Sequence, residues 1–179
     1  MALPEAILVC LADEPLTGYD LAKTFESSIG FFWHADHQQI YRVLRQLRES
    51  GLVTDELVVQ DGRPNKRVYS ITDPGRERLV EWSREANPPP AIKDDMMIKL
   101  YWLEHVDVEA MRGQVSERLV AHRRQLELYE RIEARSFTEV DADDAARTGR
   151  LLALQLGLAY ERSWVAWCES ALVRLARLT

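Results

Sequence analysis

HADHQQIYRVLRQLRESGLV, residues 34–53, decides how the rest of the chain is read. Ile40, Val43, Leu44 and Leu47 repeat at the three-and-four spacing of one helix face, while Gln38, Arg42, Arg45 and Glu49 fall on the opposite side with Tyr41 and Gln46 flanking. Asp36 is placed as an N-cap with Gln39 at the third helical position, and Gly51 suits the left-handed residue that ends a helix. The pattern predicts a helix over 37–50 that is held from behind and open in front.

Upstream, Leu3, Ile7, Leu8 and Leu11 predict a first helix that Glu14-Pro15 breaks. A second begins at Thr17, whose hydroxyl can cap it with Asp20 three residues on; Leu21, Ala22, Phe25 and Ile29 form its inner stripe. Gly30 suits its end, and Phe31-Phe32-Trp33 fills the corner before the quoted helix. Downstream, 52–60 and 66–72 are rich in β-branched residues and predict an antiparallel pair of strands around the turn DGRPN, 61–65. Asp73-Pro74 then provides a cap and a first-turn proline for a fourth helix ending near Ala86.

Asn87-Pro88-Pro89-Pro90 is the clearest boundary, because consecutive prolines stop a helix and favour an extended spacer. It divides the chain into a domain over 1–86, a linker over 87–92 and a helical domain over 93–179. Met96, Met97, Leu100 and Leu103 mark one helix of the last part. Asp107 caps a second, carrying Val108, Met111, Val115, Leu119, His122, Leu126 and Tyr129. A third, from about Asp141 to Leu178, carries two neighbouring apolar rows, which is more apolar area than three helices can bury among themselves. A second copy of the chain is the simplest remedy.

Composition narrows the class. No apolar run of the 179 residues approaches the roughly 20 that a membrane span needs, and the opening lacks a basic segment ahead of its apolar stretch, so a cytoplasmic protein is expected. The two cysteines, Cys10 and Cys168, lie in helical apolar patterns and read as buried thiols. The four histidines show no metal spacing, no phosphate-cradling glycine loop or nucleophile elbow occurs, and neither enzyme activity, cofactor nor metal is expected.

Helix, helix, helix and a hairpin with a basic tip is the plan of the winged helix-turn-helix, whose third helix enters the major groove of DNA while the wing touches the backbone. The expected fold is mainly α with a small β-hairpin: this winged domain followed by an all-helical dimerisation domain. Arginine can read guanine or clamp phosphate and glutamine can pair with adenine, so an outward Gln38, Arg42 and Arg45 suit both tasks. Arg63, Lys66 and Arg67 suit phosphate. The net charge of -6 does not exclude such a partner, since a local basic face is what matters. An outward glutamine and arginine stripe is also what a plain solvated helix shows; Arg45 and Glu49 are spaced for an ordinary ion pair, Gln39 can serve only as a cap, and Asp55, Glu56 and Asp61 would repel phosphate unless turned away. A winged-helix module that binds protein and never DNA is the alternative.

The runs LTGYDLAKTFESSIGFFWHADHQQIYRVLRQLRESGLV and QDGRPNKRVYSITDPGRERLVEW strongly resemble the PadR family of bacterial transcriptional regulators, almost continuously across residues 16–82. The helical remainder, with KLYWL at 99–103, resembles more loosely the longer members of that family. The resemblance implies a homodimeric repressor, with Tyr19, Gln38, Gln39, Tyr41, Arg42 and Arg45 at or near DNA and the wing from Gly62 through Arg63, Lys66 and Arg67 beside them. A dimer that presents two such helices to successive major grooves predicts an inverted-repeat operator with half-sites about one helical turn apart, roughly 34–36 Å, or a multiple. Family members that this chain resembles respond to phenolic acids or other small aromatic compounds, and some have no known ligand. Trp102, Tyr129, Tyr160 and Trp164, with Trp167, are candidates to line an aromatic pocket between domains or subunits, although aromatic residues at helical spacing more often belong to a core, as does His122.

Overall fold

The structure is a computed structural model that describes residues 3–27, 35–59, 62, 65–89, 93–137 and 144–178. The expected stop at Gly30, the corner at Phe31-Phe32-Trp33, the tip residues Asp61, Arg63 and Pro64 and the helix start at Asp141 lie outside the described residues. The chain divides into two compact units, Met1–Pro89 and Pro90–Thr179.

In the first unit the elements run α1 (Leu3–Asp13), β1 (Leu16–Thr17), α2 (Gly18–Ser27), α3 (His37–Glu49), β2 (Val53–Val58), β3 (Lys66–Ile71) and α4 (Asp73–Ser83). The apolar stripes of three helices meet as the spacing requires. Ile7, Leu8 and Leu11 of α1, Leu21, Ala22 and Phe25 of α2 and Ile40, Val43, Leu44 and Leu47 of α3 form one core closed by Val53 and Tyr69 of the sheet.

The sheet has three strands where the sequence suggests two. Leu16 and Thr17 pair antiparallel with Tyr69 and Val68, giving the order β1-β3-β2. A strand of two residues after Pro15 carries no period of its own; it forms because the chain leaving α1 passes the open edge of β3. Thr17 still caps α2, its Oγ1 accepting from the Asp20 amide at 3.1 Å and donating to the Asp20 carboxylate at 2.7 Å.

α4 also departs from expectation at both ends. Its N-cap is Thr72, not Asp73: Thr72 Oγ1 accepts from the Gly75 amide at 3.2 Å and donates to the Gly51 carbonyl at 2.8 Å, so the cap is chosen by a tertiary contact. It ends at Ser83, before Ala86, where the Arg84 and Glu85 amides close tighter turns onto the Glu81 and Trp82 carbonyls.

The second unit is helical: α5 (Asp95–Tyr101), a short 3-10 turn at Leu103–His105, α6 (Val108–Ser136) and α7 (Ala145–Leu175). The first expected helix therefore stops short of Leu103, while Asp107 caps α6 as expected and Asp144 caps α7. α6 and α7 pack antiparallel: Tyr129 lies on Gly157, His122 bonds Glu161, and Arg118 lies over Trp164. Met96, Met111, Val115, Leu119, Cys168 and Leu175 form the core. Both cysteines are free and buried. His122 is a hydrogen-bonded helix-interface residue, its Nδ1 2.6 Å from the buried Glu161 carboxylate and its ring stacked on Trp164. No described helix is long and apolar enough to cross a membrane.

Candidate nucleic-acid interface

α3 is fixed at both ends by its own sequence. Asp36 accepts from the Gln39 amide at 2.7 Å while the Gln39 side chain accepts from the Asp36 amide at 3.3 Å, a complete capping box. At the other end Gly51, with φ +74°, lets the Leu52 amide reach the Leu47 carbonyl and the Gly51 amide reach the Arg48 carbonyl. Leu52 then returns to the core. Such caps contribute about 1 kcal/mol each, and burial of four aliphatic side chains behind them fixes which face turns outward.

That outward face carries Gln38, Arg42 and Arg45, all exposed, with Tyr41 on one edge at 45 % exposure. Among the described residues neither Arg42 nor Arg45 has an ion-pair partner, and the i,i+4 pair of Arg45 with Glu49 does not form. Gln39 is half-buried with its carbonyl oxygen committed to the cap. Tyr19 projects from α2 at 66 % exposure, and the Tyr41 ring lies beside Gly18. The Tyr41 edge looks toward the sheet, where the Tyr69 phenol is held above its ordinary pKa by burial and feels Arg67, Asp55, Arg48 and Tyr41.

The wing is the β2–β3 hairpin, paired from Val53 with Ile71 to Val58 with Lys66. Gly62, at φ +71°, is exposed in the turn, Lys66 is exposed at the base, and Arg63 lies outside the described residues. Arg67 is exposed but engaged: its Nη1 pairs with the Asp55 carboxylate, which also meets Nη1 of Arg48 at 3.5 Å. Asp55 is thus paired, not facing phosphate unopposed. Sequence reading passed over Arg48; its signal was its position seven residues after Tyr41 on the same edge of α3, with Asp55 in phase with the buried Val53 on β2.

The aromatic candidates of the second unit separate into groups. Tyr160 and Trp164 meet edge to face at 6.4 Å, with Trp167 beside Trp164 at 5.5 Å. Tyr129 is packed on Gly157, and Trp102 meets the His105 ring at a tilt, 4.5 Å between centroids. A cleft of about 400 Å³ in this unit is lined instead by Asp94, Met96, Lys99, Gln114 and Arg118.

A three-helix core that presents a doubly capped helix beside a β-hairpin defines the first unit as a winged helix-turn-helix domain. Residues 7–81 match the PadR-like transcriptional regulator family, and residues 92–176 match the family described as virulence activator alpha C-term. The chain belongs to the PadR-like family of transcriptional regulators. It is 39 % identical to a probable transcriptional regulator of Mycobacterium tuberculosis, over 94 % of this chain and 95 % of that one. It is 31 % identical to the negative transcriptional regulator PadR of Bacillus subtilis, over 97 % of each. The crystal structure of that PadR with operator DNA superposes with a TM-score of 0.83, covering 98 % of this chain and 99 % of that one, and its complex with p-coumaric acid superposes at 0.78 over the same shares. The Vibrio cholerae virulence activator AphA superposes at 0.81 with 34 % identity over 99 % of each chain. The family and these relatives are regulators, not enzymes.

Proposed function

We propose that the chain is a homodimeric transcriptional repressor that binds an inverted-repeat operator, with α3 in the major groove and the wing on the flanking backbone. The observation that carries this reading is α3 itself: four aliphatic residues hold it from behind while Gln38, Arg42 and Arg45 stand outward without protein partners among the described residues. In this assignment residues 1–86 read DNA, 87–92 link, and 93–179 dimerise. Tyr19, Gln39, Tyr41, Gly62, Arg63, Lys66 and Arg67 complete the DNA surface.

Dimerisation is supported by α7, where Leu152, Leu156, Tyr160 and Trp167 share one face and are 61, 74, 58 and 39 % exposed in the single chain. A contiguous apolar row of that kind belongs under a partner. Two copies would set two α3 helices about 34–36 Å apart, one turn of duplex, or a multiple of that. Repression is favoured over activation by the full-length likeness to the negative regulator PadR. Release is assigned to a small aromatic ligand, supported by the p-coumaric acid complex of that relative and by the Tyr160, Trp164 and Trp167 rings here; such a ligand acts only by favouring one arrangement over another.

The test is a mobility shift with duplex from immediately upstream of the protein's own coding sequence. A sequence-specific complex that Arg42→Ala with Arg63→Ala abolishes supports the reading. Activity in the cell that survives both substitutions, with no complex formed, assigns the surface to a protein partner instead.

A further inference from the structure

Asp55 sits between two arginines from different elements. It lies on β2 opposite Tyr69, with Arg67 two residues along β3 on the same face, while Arg48 reaches it from the last turn of α3. The Asp55 side chain is only 12 % exposed, whereas Arg48 and Arg67 are 42 % and 45 % exposed. Both arginines approach through Nη1. A guanidinium has five N–H donors in a rigid fork, so one bond to Asp55 leaves the Nη2 and Nε donors of each arginine able to meet another anion.

A carboxylate on a surface that faces phosphate weakens binding by repulsion unless it does something in return. Here it ties the end of α3 to the wing and holds two long side chains that would otherwise lose rotamer freedom only when DNA arrives. We propose that Asp55 is a positioning residue for DNA binding: it clamps Arg48 of α3 and Arg67 of the wing so that the open edges of both guanidinium groups are set for backbone phosphates. The proposal rests on the DNA-binding reading above. It adds Arg48 to the phosphate-contacting set and gives the acidic residue of the wing a favourable role.

The experiment compares wild type and Asp55→Asn on two probes: a duplex retrieved by the wild-type protein from a random-sequence pool, and an unselected duplex of equal length. The clamp predicts a loss of about tenfold on the selected duplex and a loss on the unselected one as well, because both offer the same backbone phosphates. It also predicts that Asp55→Asn causes no further loss when Arg48 and Arg67 are both alanine. Equal gains on both duplexes show that Asp55 only repels and overturn the clamp. So does a loss that persists in the double-alanine background. If Asp55→Asn does not fold, Arg67→Lys and Arg67→Ala carry the test: a compact ammonium cannot offer the same rigid fork, so lysine should fall toward the alanine value, and lysine matching wild type overturns the proposal. A wild-type protein that retrieves no duplex overturns the DNA reading and the clamp together, whereas the other adverse results overturn the clamp alone.

Discussion

The Tyr41 ring of α3 occupies the space where a side chain at position 18 would begin: a Cβ on Gly18 would lie 2.8 Å from Tyr41 Cζ and closer still to Cε1. Glycine at the first residue of α2 therefore lets the half-exposed Tyr41 ring of α3 lie against the start of α2.

Gly18→Ala should consequently act on DNA affinity more than on folding. The obstructed group is the end of a side chain, so the ring can swing away, and stability should change by no more than about 1 kcal/mol. Operator affinity should fall severalfold, as it should for Tyr41→Ala. Chemical denaturation and fluorescence anisotropy on the same preparation separate the two effects; a large loss of stability with unchanged affinity would contradict this role for Tyr41.

Gly75 is a different case. A Cβ there would strike the Leu52 carbonyl oxygen, a backbone atom that already accepts from the Thr72 amide at 3.1 Å, and lie 2.7 Å from Ile71 Cγ1. Gly75→Ala is expected to cost roughly 2–4 kcal/mol, read as a lowered urea midpoint at unchanged slope.

Asp94 supplies a pH dependence for the second unit. Hydrogen bonding from Arg118, and then from the Met96 amide, holds its carboxyl below the ordinary value of 3.8. Depression in the folded state means that the stabilising effect is complete above the unfolded value and is lost as pH falls through the folded one. Asp94→Asn should therefore lower stability at neutral pH and flatten the acid limb of the unfolding curve below about pH 4. An acid limb identical to wild type would contradict the assignment.

The α7 row predicts assembly. Leu156→Glu places a charge on the most exposed member of that row without touching the α6–α7 core, so the helical content should persist while the species in sedimentation becomes a monomer. Operator affinity should fall with it, because one half-site then binds alone.

α3 was legible because its signals are local: the Asp36 and Gln39 box, the Gly51 exit and a four-residue apolar stripe all lie within one short stretch. α1 and α2 were legible for the same reason. β1, the Thr72 cap and the Asp55 clamp were not, because each depends on a partner distant in sequence: β3 for Leu16 and Thr17, Gly51 for Thr72, Arg48 and Arg67 for Asp55. Two adjacent capping residues, Thr72 and Asp73, look equivalent until the Gly51 carbonyl selects one. Likewise, Trp102 and Trp164 share a composition class, yet their ring partners are His105 for one and His122, Tyr160 and Trp167 for the other.

The most direct measurement is the salt dependence of binding to an inverted-repeat duplex recovered from the upstream region. If Arg42, Arg48, Arg63, Lys66 and Arg67 of two subunits each neutralise one phosphate, the logarithm of the affinity should fall with the logarithm of salt at a slope of about 9. Arg42→Ala should reduce that slope by about 2, one phosphate from each subunit. A slope near zero, or one that Arg42→Ala leaves unchanged, would contradict the assignment of this face to DNA.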